Sequence, residues 1–246
     1  MDPAEPTRPH QLTVVRVGDD PGAWRAAGFS VVDRGDGTGT VQVGRTSVEL
    51  TGSGRGFEGW TLDGVGRPVD GLAPVEPWHP IEGRTVPAPH PNGVLRIDHV
   101  VLLTGDTART VAELEAVGLE VRGHRAARAS GRPVRQVFLW AGDVILELVG
   151  PGEGAPAEGG PTSVMGLALA VADLDASAHA LGPLLGPARD AVQPGRQVAT
   201  LRHAQAGMRL PLLFMSPHVD VSDGADRTVP APPAAAADRP DAPEAD

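Results

Sequence analysis

The sequence of 246 residues contains no cysteine, no tyrosine and no lysine. The missing cysteine excludes disulfide bonds and thiolate chemistry, and the other two absences exclude a tyrosine acid and a Schiff-base lysine. All 21 basic residues are therefore arginine. Any catalysis must depend on His, Asp, Glu, Ser, Thr or Arg side chains, or on a bound cofactor.

Long hydrophobic runs and an excess of positive charge are absent as well. No stretch of about eighteen apolar residues could span a membrane, and residues 1–10 are acidic and Pro-rich rather than a signal peptide. The formal net charge of −10 disfavours nucleic acid and anionic membranes as partners, because both are polyanions. No Gly-rich loop opens a helix in a nucleotide-binding pattern. We expect a cytoplasmic protein with no nucleotide cofactor and with no nucleic-acid or membrane partner.

The middle of the chain has the order strand, helix and three strands. An apolar run ending at Leu103 leads to Asp106, a helix N-cap, and the amphipathic helix that follows stops at Gly118. Strand patterns then span residues 119–121, 134–140 and 144–149. A tight turn at 141–143 joins the last two strands.

A later segment repeats this order. An apolar run at 164–171 leads to a helix cap at Asp173 or Asp175, and strand patterns at 197–202 and 209–215 flank a turn at Gly207. The spacing from helix cap to turn glycine is 36 residues in the middle segment and 34 in this one. So close a match indicates an internal repeat.

A shorter copy occupies residues 12–52. Asp20 and Pro21 are typical of a helix cap followed by proline at the first helical position. Glu49 stands five residues after a turn glycine, as Glu147 does in the middle segment. The sequence therefore predicts three related units.

Two apolar strands each carry an ionisable residue that needs a partner. His99 lies within residues 96–102 and Glu147 lies within residues 144–150. An unpaired charge buried at either place would be strongly destabilising. A metal ion could satisfy both residues. The alternatives are a neutral core histidine that is hydrogen-bonded to a carbonyl or to Glu147, and a buried carboxylate that is paired with an arginine.

The tandem βαβββ plan, with His99 in a first strand and Glu147 in a last strand, resembles the vicinal oxygen chelate superfamily, which includes glyoxalase I, bleomycin-resistance proteins and extradiol dioxygenases. The resemblance implies an α+β fold of tandem βαβββ modules whose curved mixed sheets surround a small-molecule cavity. We expect a divergent module at 1–65, a Pro/Gly-rich linker at 66–94, a two-module glyoxalase-like domain at 95–217 and a disordered tail at 218–246.

The resemblance also implies a metal site. His99 and Glu147 match the ligand positions of one module, and the ion would be Fe, Mn, Ni or Zn. In the partner module the matching positions hold Gly166 and Leu212, so only two protein ligands remain. A useful site normally needs a third. Glu49 or, in another register, His203 could supply it.

Four further residues are candidates for binding an anionic substrate. Arg135 and Gln136 begin a strand that continues to Trp140, and one of each alternating pair must face the concave side. Arg196 follows a turn at 193–195 and could clamp an anion. The arginine-rich stretch 122–135 containing the first of these residues is typical of a solvated connection.

The resemblance leaves two functions open. In a metal-dependent lyase, isomerase or dioxygenase the ion would polarise substrate oxygens, with Glu147 and Glu49 as candidate catalytic groups. In a metal-free resistance or sequestration protein the cavity would only bind a small molecule, and Gly166 and Leu212 favour this alternative. A scaffold with a filled cavity is a third possibility. The odd number of modules predicts a homodimer that completes the pairing.

Overall fold

The computed structural model describes residues 10–79, 89–129, 132–152, 154–157 and 159–217. The predicted tail at 218–246 lies outside them. The first unit contains β1 (Leu12–Val17), α1 (Pro21–Ala26), β2 (Val32–Asp33), β3 (Gly39–Val43) and β4 (Thr46–Leu50), and β5 (Phe57–Leu62) follows it. The second contains β6 (Val94–Leu103), α2 (Thr107–Glu115), β7 (Val121–Ala129), β8 (Arg132–Ala141) and β9 (Val144–Pro151). The third contains β10 (Ser163–Val171), α3 (Leu174–Leu181), β11 (Arg189–Asp190), β12 (Gln197–Thr200) and β13 (Leu212–Met215).

The strands form two mixed sheets. The first has the order β2-β3-β4-β1-β5, and the second has the order β11-β12-β13-β10-β6-β9-β8-β7. Within each βαβββ unit the first strand lies parallel to the last, and the antiparallel pair β6–β10 joins the second unit to the third. The eight-stranded sheet curls into a half-barrel. The predicted α+β fold of tandem βαβββ modules with curved mixed sheets is confirmed.

Each helix begins where an aspartate caps it. The side chains of Asp20, Asp106 and Asp173 accept hydrogen bonds from backbone N–H groups in the first turns of α1, α2 and α3. These contacts satisfy donors that the helix itself leaves unpaired. Of the two predicted caps for α3, Asp173 is therefore the one used. None of the helices in the described ranges is long and apolar enough to cross a membrane.

The arginine-rich stretch is a strand and not the predicted connection. β7 and β8 pair as an antiparallel hairpin, from Val121 opposite Leu139 to Ala129 opposite Arg132. Exposed and half-buried residues alternate along β7, which is the period expected of an edge strand with one solvated face. Sequence reasoning took the arginines as loop residues, although their long aliphatic stems can cover a sheet face while the charge stays in water.

The main apolar core of the described residues extends from the five-stranded sheet to one face of the eight-stranded sheet, and a smaller cluster is separate from it. The main core includes Trp24 of the first unit, Leu146 of the second and Phe214 of the third. A buried carboxylate also joins the units, because Asp19 accepts hydrogen bonds from Trp24 Nε1 at 3.0 Å and from the backbone N–H of Arg209 at 2.6 Å. The first unit is therefore packed against the third.

After β5, the chain forms a reduced version of a further module. β5 lies antiparallel to β1, just as β10 lies antiparallel to β6. Pro74 forms a parallel β-bridge with Trp60 of β5, just as β13 pairs in parallel with β10. Gly59 permits this approach, since a Cβ there would collide with Val75 Cγ1. Residues of the predicted linker that follow β5, including Pro74 and Val75, thus pack against the five-stranded sheet.

Candidate functional site

His99 and Glu147 lie on the same face of the eight-stranded sheet. In the parallel pair β6–β9, His99 stands opposite Ile145 and Glu147 stands opposite Val101. Residues paired across strands share a face. We call this face, which also carries Phe138, the inner face. The residues of the other face belong to the core that contains the helices.

Glu147 is joined to an arginine through a glutamine. Gln136 Nε2 donates to Glu147 Oε1 at 2.5 Å, and Gln136 Oε1 accepts from Arg125 Nε at 2.5 Å. Burial raises the pKa of Glu147 to about 8, against the opposing effects of Arg125 and Gln136. The carboxyl group is therefore protonated at neutral pH. A protonated carboxyl can donate one hydrogen bond as well as accept others.

His99 belongs to a separate polar cluster that a β-bulge creates. The register of β6 against β10 jumps from the pair His99–Ala168 to the pair Ile97–Leu169, so Asp98 has no partner in β10. A bulge of this kind re-aims side chains, and here it brings Asp98 beside His99. For the same reason Ile97 and His99, two residues apart, face opposite sides of the sheet.

The Asp98 carboxylate is the centre of that cluster. Its oxygens lie 2.8 Å from His99 Nδ1, 3.1 Å from Arg196 Nη1 and 2.8 Å from Arg96 Nη2. Burial acts to raise the pKa of Asp98, but the contact with His99 and the charges of His99, Arg196 and Arg96 outweigh it and hold that pKa well below its usual range. Among the described residues His99 Nε2 has no hydrogen-bond partner, and the residue is 0% exposed.

Glu49 lies in the other sheet and is already bound. Arg16 Nη2 and Nε lie 2.6 and 2.8 Å from Glu49 Oε2, and the Trp78 backbone N–H donates to Oε1 at 2.6 Å. Glu49 is 2% exposed. The structure does not bring it together with His99 and Glu147 as a third ligand.

The predicted substrate-binding residues are divided between different places. Gln136 and Trp140 share the inner face with Glu147. Arg135 points to the opposite face and lines a hollow of about 170 Å³ at the start of α2. Arg196 is buried, and the anion that its guanidinium contacts is the Asp98 carboxylate of the chain itself. The alternative ligand, His203, lies in a turn before β13.

No protein-family model matches the sequence, and no curated protein does. Solved structures do match. A mutant of 4-hydroxymandelate synthase from Streptomyces coelicolor has a TM-score of 0.58 at 13% identity, over 90% of this chain and 96% of that one. The halotolerant catechol dioxygenase BphC has a TM-score of 0.50 at 13% identity, over 88% and 90% of the two chains. A catechol 2,3-dioxygenase also has a TM-score of 0.50 at 13% identity, over 86% and 88%.

The chain has the vicinal oxygen chelate fold. Within this fold the third unit offers no polar side chain at the positions that match His99 and Glu147. Gly166 stands on the inner face opposite Val101. The predicted counterpart of Glu147, Leu212, pairs with Leu167 and faces the core. Counting five residues from the turn glycine gives the wrong residue by one position, because the turn before β13 differs from the turn before β9. The inner-face residue there is Leu213.

The residues of this vicinal oxygen chelate fold do not fit a divalent metal ion. Within the described ranges no group of three or more His, Asp or Glu residues is placed to hold one. Glu147 is bonded to Gln136, and the His99 ring lies against Asp98. Two separated donors fall short of the three protein ligands that such sites normally use. Arginines supply positive charge near the two carboxyl groups, Arg125 near Glu147 and Arg196 and Arg96 near Asp98.

Sequence reasoning missed Asp98 and Arg125. The signal for Asp98 was available, because Asp98 and His99 are neighbouring polar residues in an apolar strand and so break its alternation. The signal for Arg125 was the alternation of β7, which places it opposite Gln136. Arg125 was overlooked because the arginine-rich stretch is typical of a solvated connection.

Proposed function

We propose that this chain is a metal-independent small-molecule-binding protein with the vicinal oxygen chelate fold, and that the ligand binds at the inner face. The observation that carries the proposal is the buried relay from Arg125 through Gln136 to the protonated carboxyl of Glu147. The relay places the Arg125 guanidinium, a cation, and the Glu147 carboxyl, a neutral hydrogen-bond donor, together on the inner face. Buried polar groups of this kind orient ligands in small-molecule sites.

The surroundings of the relay favour an apolar or aromatic ligand. Val101 and Trp140 are half-buried on the same face, and Leu103 is 46% exposed. Few polar groups among apolar walls are typical of pockets for small molecules. The names of the structural neighbours supply two suitable probes, catechol and 4-hydroxymandelate.

One observation favours the second candidate, a metal-dependent lyase, isomerase or dioxygenase. His99 Nε2 is buried without a described partner while Asp98 lies against the other ring nitrogen. Metal-binding histidines have a carboxylate at that second nitrogen. The missing third ligand weighs against this candidate, and the experiment below separates the two.

Thermal unfolding of untagged protein tests the proposal. We expect catechol or 4-hydroxymandelate, at about ten times its dissociation constant, to raise the melting temperature by about 3 °C. The Glu147→Ala variant should lose this shift, because it lacks the donor at the base of the site. Glu120→Ala, which removes an exposed carboxylate, should retain it.

The same assay with Fe²⁺, Mn²⁺, Ni²⁺ or Zn²⁺ tests metal independence. We expect none of these ions to shift the melting temperature. Stoichiometric binding of one of them that is lost in the His99→Ala variant would overturn the proposal and establish the metal-dependent candidate.

A further inference from the structure

The first unit carries an arginine and a glutamate at the positions of its sheet that match Arg125 and Glu147. Val32, Thr40 and Glu49 stand in one row across β2, β3 and β4. Gly123, Phe138 and Glu147 stand in the corresponding row across β7, β8 and β9. Two residues after the first member of each row comes an arginine, Arg34 in the first unit and Arg125 in the second. Arg34–Glu49 is therefore the structural counterpart of Arg125–Glu147.

In the first unit this pair holds an aromatic residue of the chain itself. The backbone N–H of Trp78 donates to Glu49 Oε1 at 2.6 Å. The guanidinium carbon of Arg34 lies 5.0 Å from the centroid of the Trp78 ring, and that of Arg16 lies 5.2 Å from it. Guanidinium groups at such distances attract aromatic rings. The carboxylate and the arginines together recognise a ring with an adjacent N–H group.

The two units differ at one position, and the difference has a chemical consequence. Arg16 stands opposite Glu49 and forms an ion pair with it, whereas the half-buried Val101 stands opposite Glu147. Burial raises the pKa of Glu147 to about 8, and no arginine stands opposite it, so its carboxyl is protonated at neutral pH. Glu49 accepts hydrogen bonds from Arg16 and Trp78, but a protonated Glu147 can also donate one. Its best partner therefore presents a donor and an acceptor side by side, as an amide does.

We propose that Arg125 and Glu147 bind a small aromatic compound that bears an amide group, with the ring against Arg125 and the amide against Glu147, as Arg34 and Glu49 bind Trp78. The inference rests on the proposed function, because it names the ligand class of the same face. Val101 would contact the ring where Arg16 contacts Trp78. A ligand of this class is neutral, whereas the sequence predicted an anionic one.

Calorimetric titration of the full chain with N-acetyl-L-tryptophanamide tests the inference. We expect one binding site per chain and no binding of N-acetyl-L-leucinamide, which has the amide but lacks the ring. Arg125→Leu should weaken binding about tenfold, since the contact of the ring with the guanidinium is lost. The matched variant Arg34→Leu removes the counterpart arginine of the first unit and should leave the affinity unchanged. If Arg125→Leu does not fold, Arg125→Gln serves in its place.

Three outcomes would overturn the inference. If catechol binds and N-acetyl-L-tryptophanamide does not, the inference fails and the proposed function stands. If the tryptophan derivative loses affinity in Arg34→Leu but not in Arg125→Leu, it is displacing Trp78 from the first unit and the assignment to the inner face is wrong. If neither compound binds, the proposed function and the inference fail together.

Discussion

The Glu147→Gln variant is expected to be more stable than the wild-type protein at alkaline pH. The pKa of Glu147 is about 8 in the folded state and 4.5 in an unperturbed chain, so folding takes up a proton between these values. Wild-type stability therefore falls as the pH rises through this window, and the loss is complete above the folded pKa. Glutamine cannot ionise and avoids the loss. The expected gain is about 3–5 kcal/mol at pH 9 and close to zero at pH 4.

Urea unfolding of both proteins at pH 4, 7 and 9 measures this difference. The control is Glu49→Gln, which removes a carboxylate that is paired with Arg16 and should lower the free energy of unfolding at pH 7 and 9. The same Glu→Gln substitution should therefore change the free energy of unfolding in opposite directions in the two units, because Arg16 stands opposite Glu49 and Val101 stands opposite Glu147. A Glu147→Gln effect of equal size at pH 4 and pH 9 contradicts the assignment of a protonated carboxyl.

Asp98→Asn should be among the most destabilising single substitutions in the chain. The aspartate is 3% exposed and contacts the guanidinium of Arg196, which is 2% exposed. Removing the anion leaves a buried cation uncompensated. Loss of one partner from a buried ion pair costs about 3–5 kcal/mol. We expect a decrease of that size in the free energy of unfolding at pH 7.

The effect of Asp98→Asn should diminish in acid. The pKa of Asp98 is held well below its usual range, so the stability it contributes is present above the unfolded pKa and is lost as the pH falls towards the folded one. Asp33→Asn is the control, because the Asp33–Arg25 pair is exposed and such pairs contribute about 1 kcal/mol or less. The double variant Asp98→Asn/Arg196→Met should recover part of the loss. Equal losses in Asp98→Asn and Asp33→Asn would contradict a buried charge cluster.

Local chemistry made much of the fold predictable. The aspartate caps could be identified because capping depends on residues two or three positions apart. The repeated βαβββ order could be identified because strand and helix periodicities are local as well. The placement of His99 and Glu147 on one face followed from the resemblance, and the register of β6 against β9 agrees with it.

The site itself depends on contacts between distant parts of the chain, which explains what the sequence did not reveal. Glu49 was predicted as a possible metal ligand, but it pairs with Arg16, which lies 33 residues away in the sequence. The residues of its own strand give no sign of this pairing. The bulge that turns Asp98 towards His99 is a property of the register between β6 and β10. Trp78 contacts Glu49 only because the chain folds back over the five-stranded sheet.

The proposed metal-independent site depends most on the protonation state of Glu147. Carbon-13 NMR of glutamate-labelled protein, compared with the Glu147→Gln variant to assign the resonance, measures that state directly. We expect the Glu147 carboxyl to titrate near pH 8 and to be unaffected by added Zn²⁺. A titration near the ordinary glutamate pKa, or a shift of the resonance when Zn²⁺ binds, would contradict a neutral, metal-independent site.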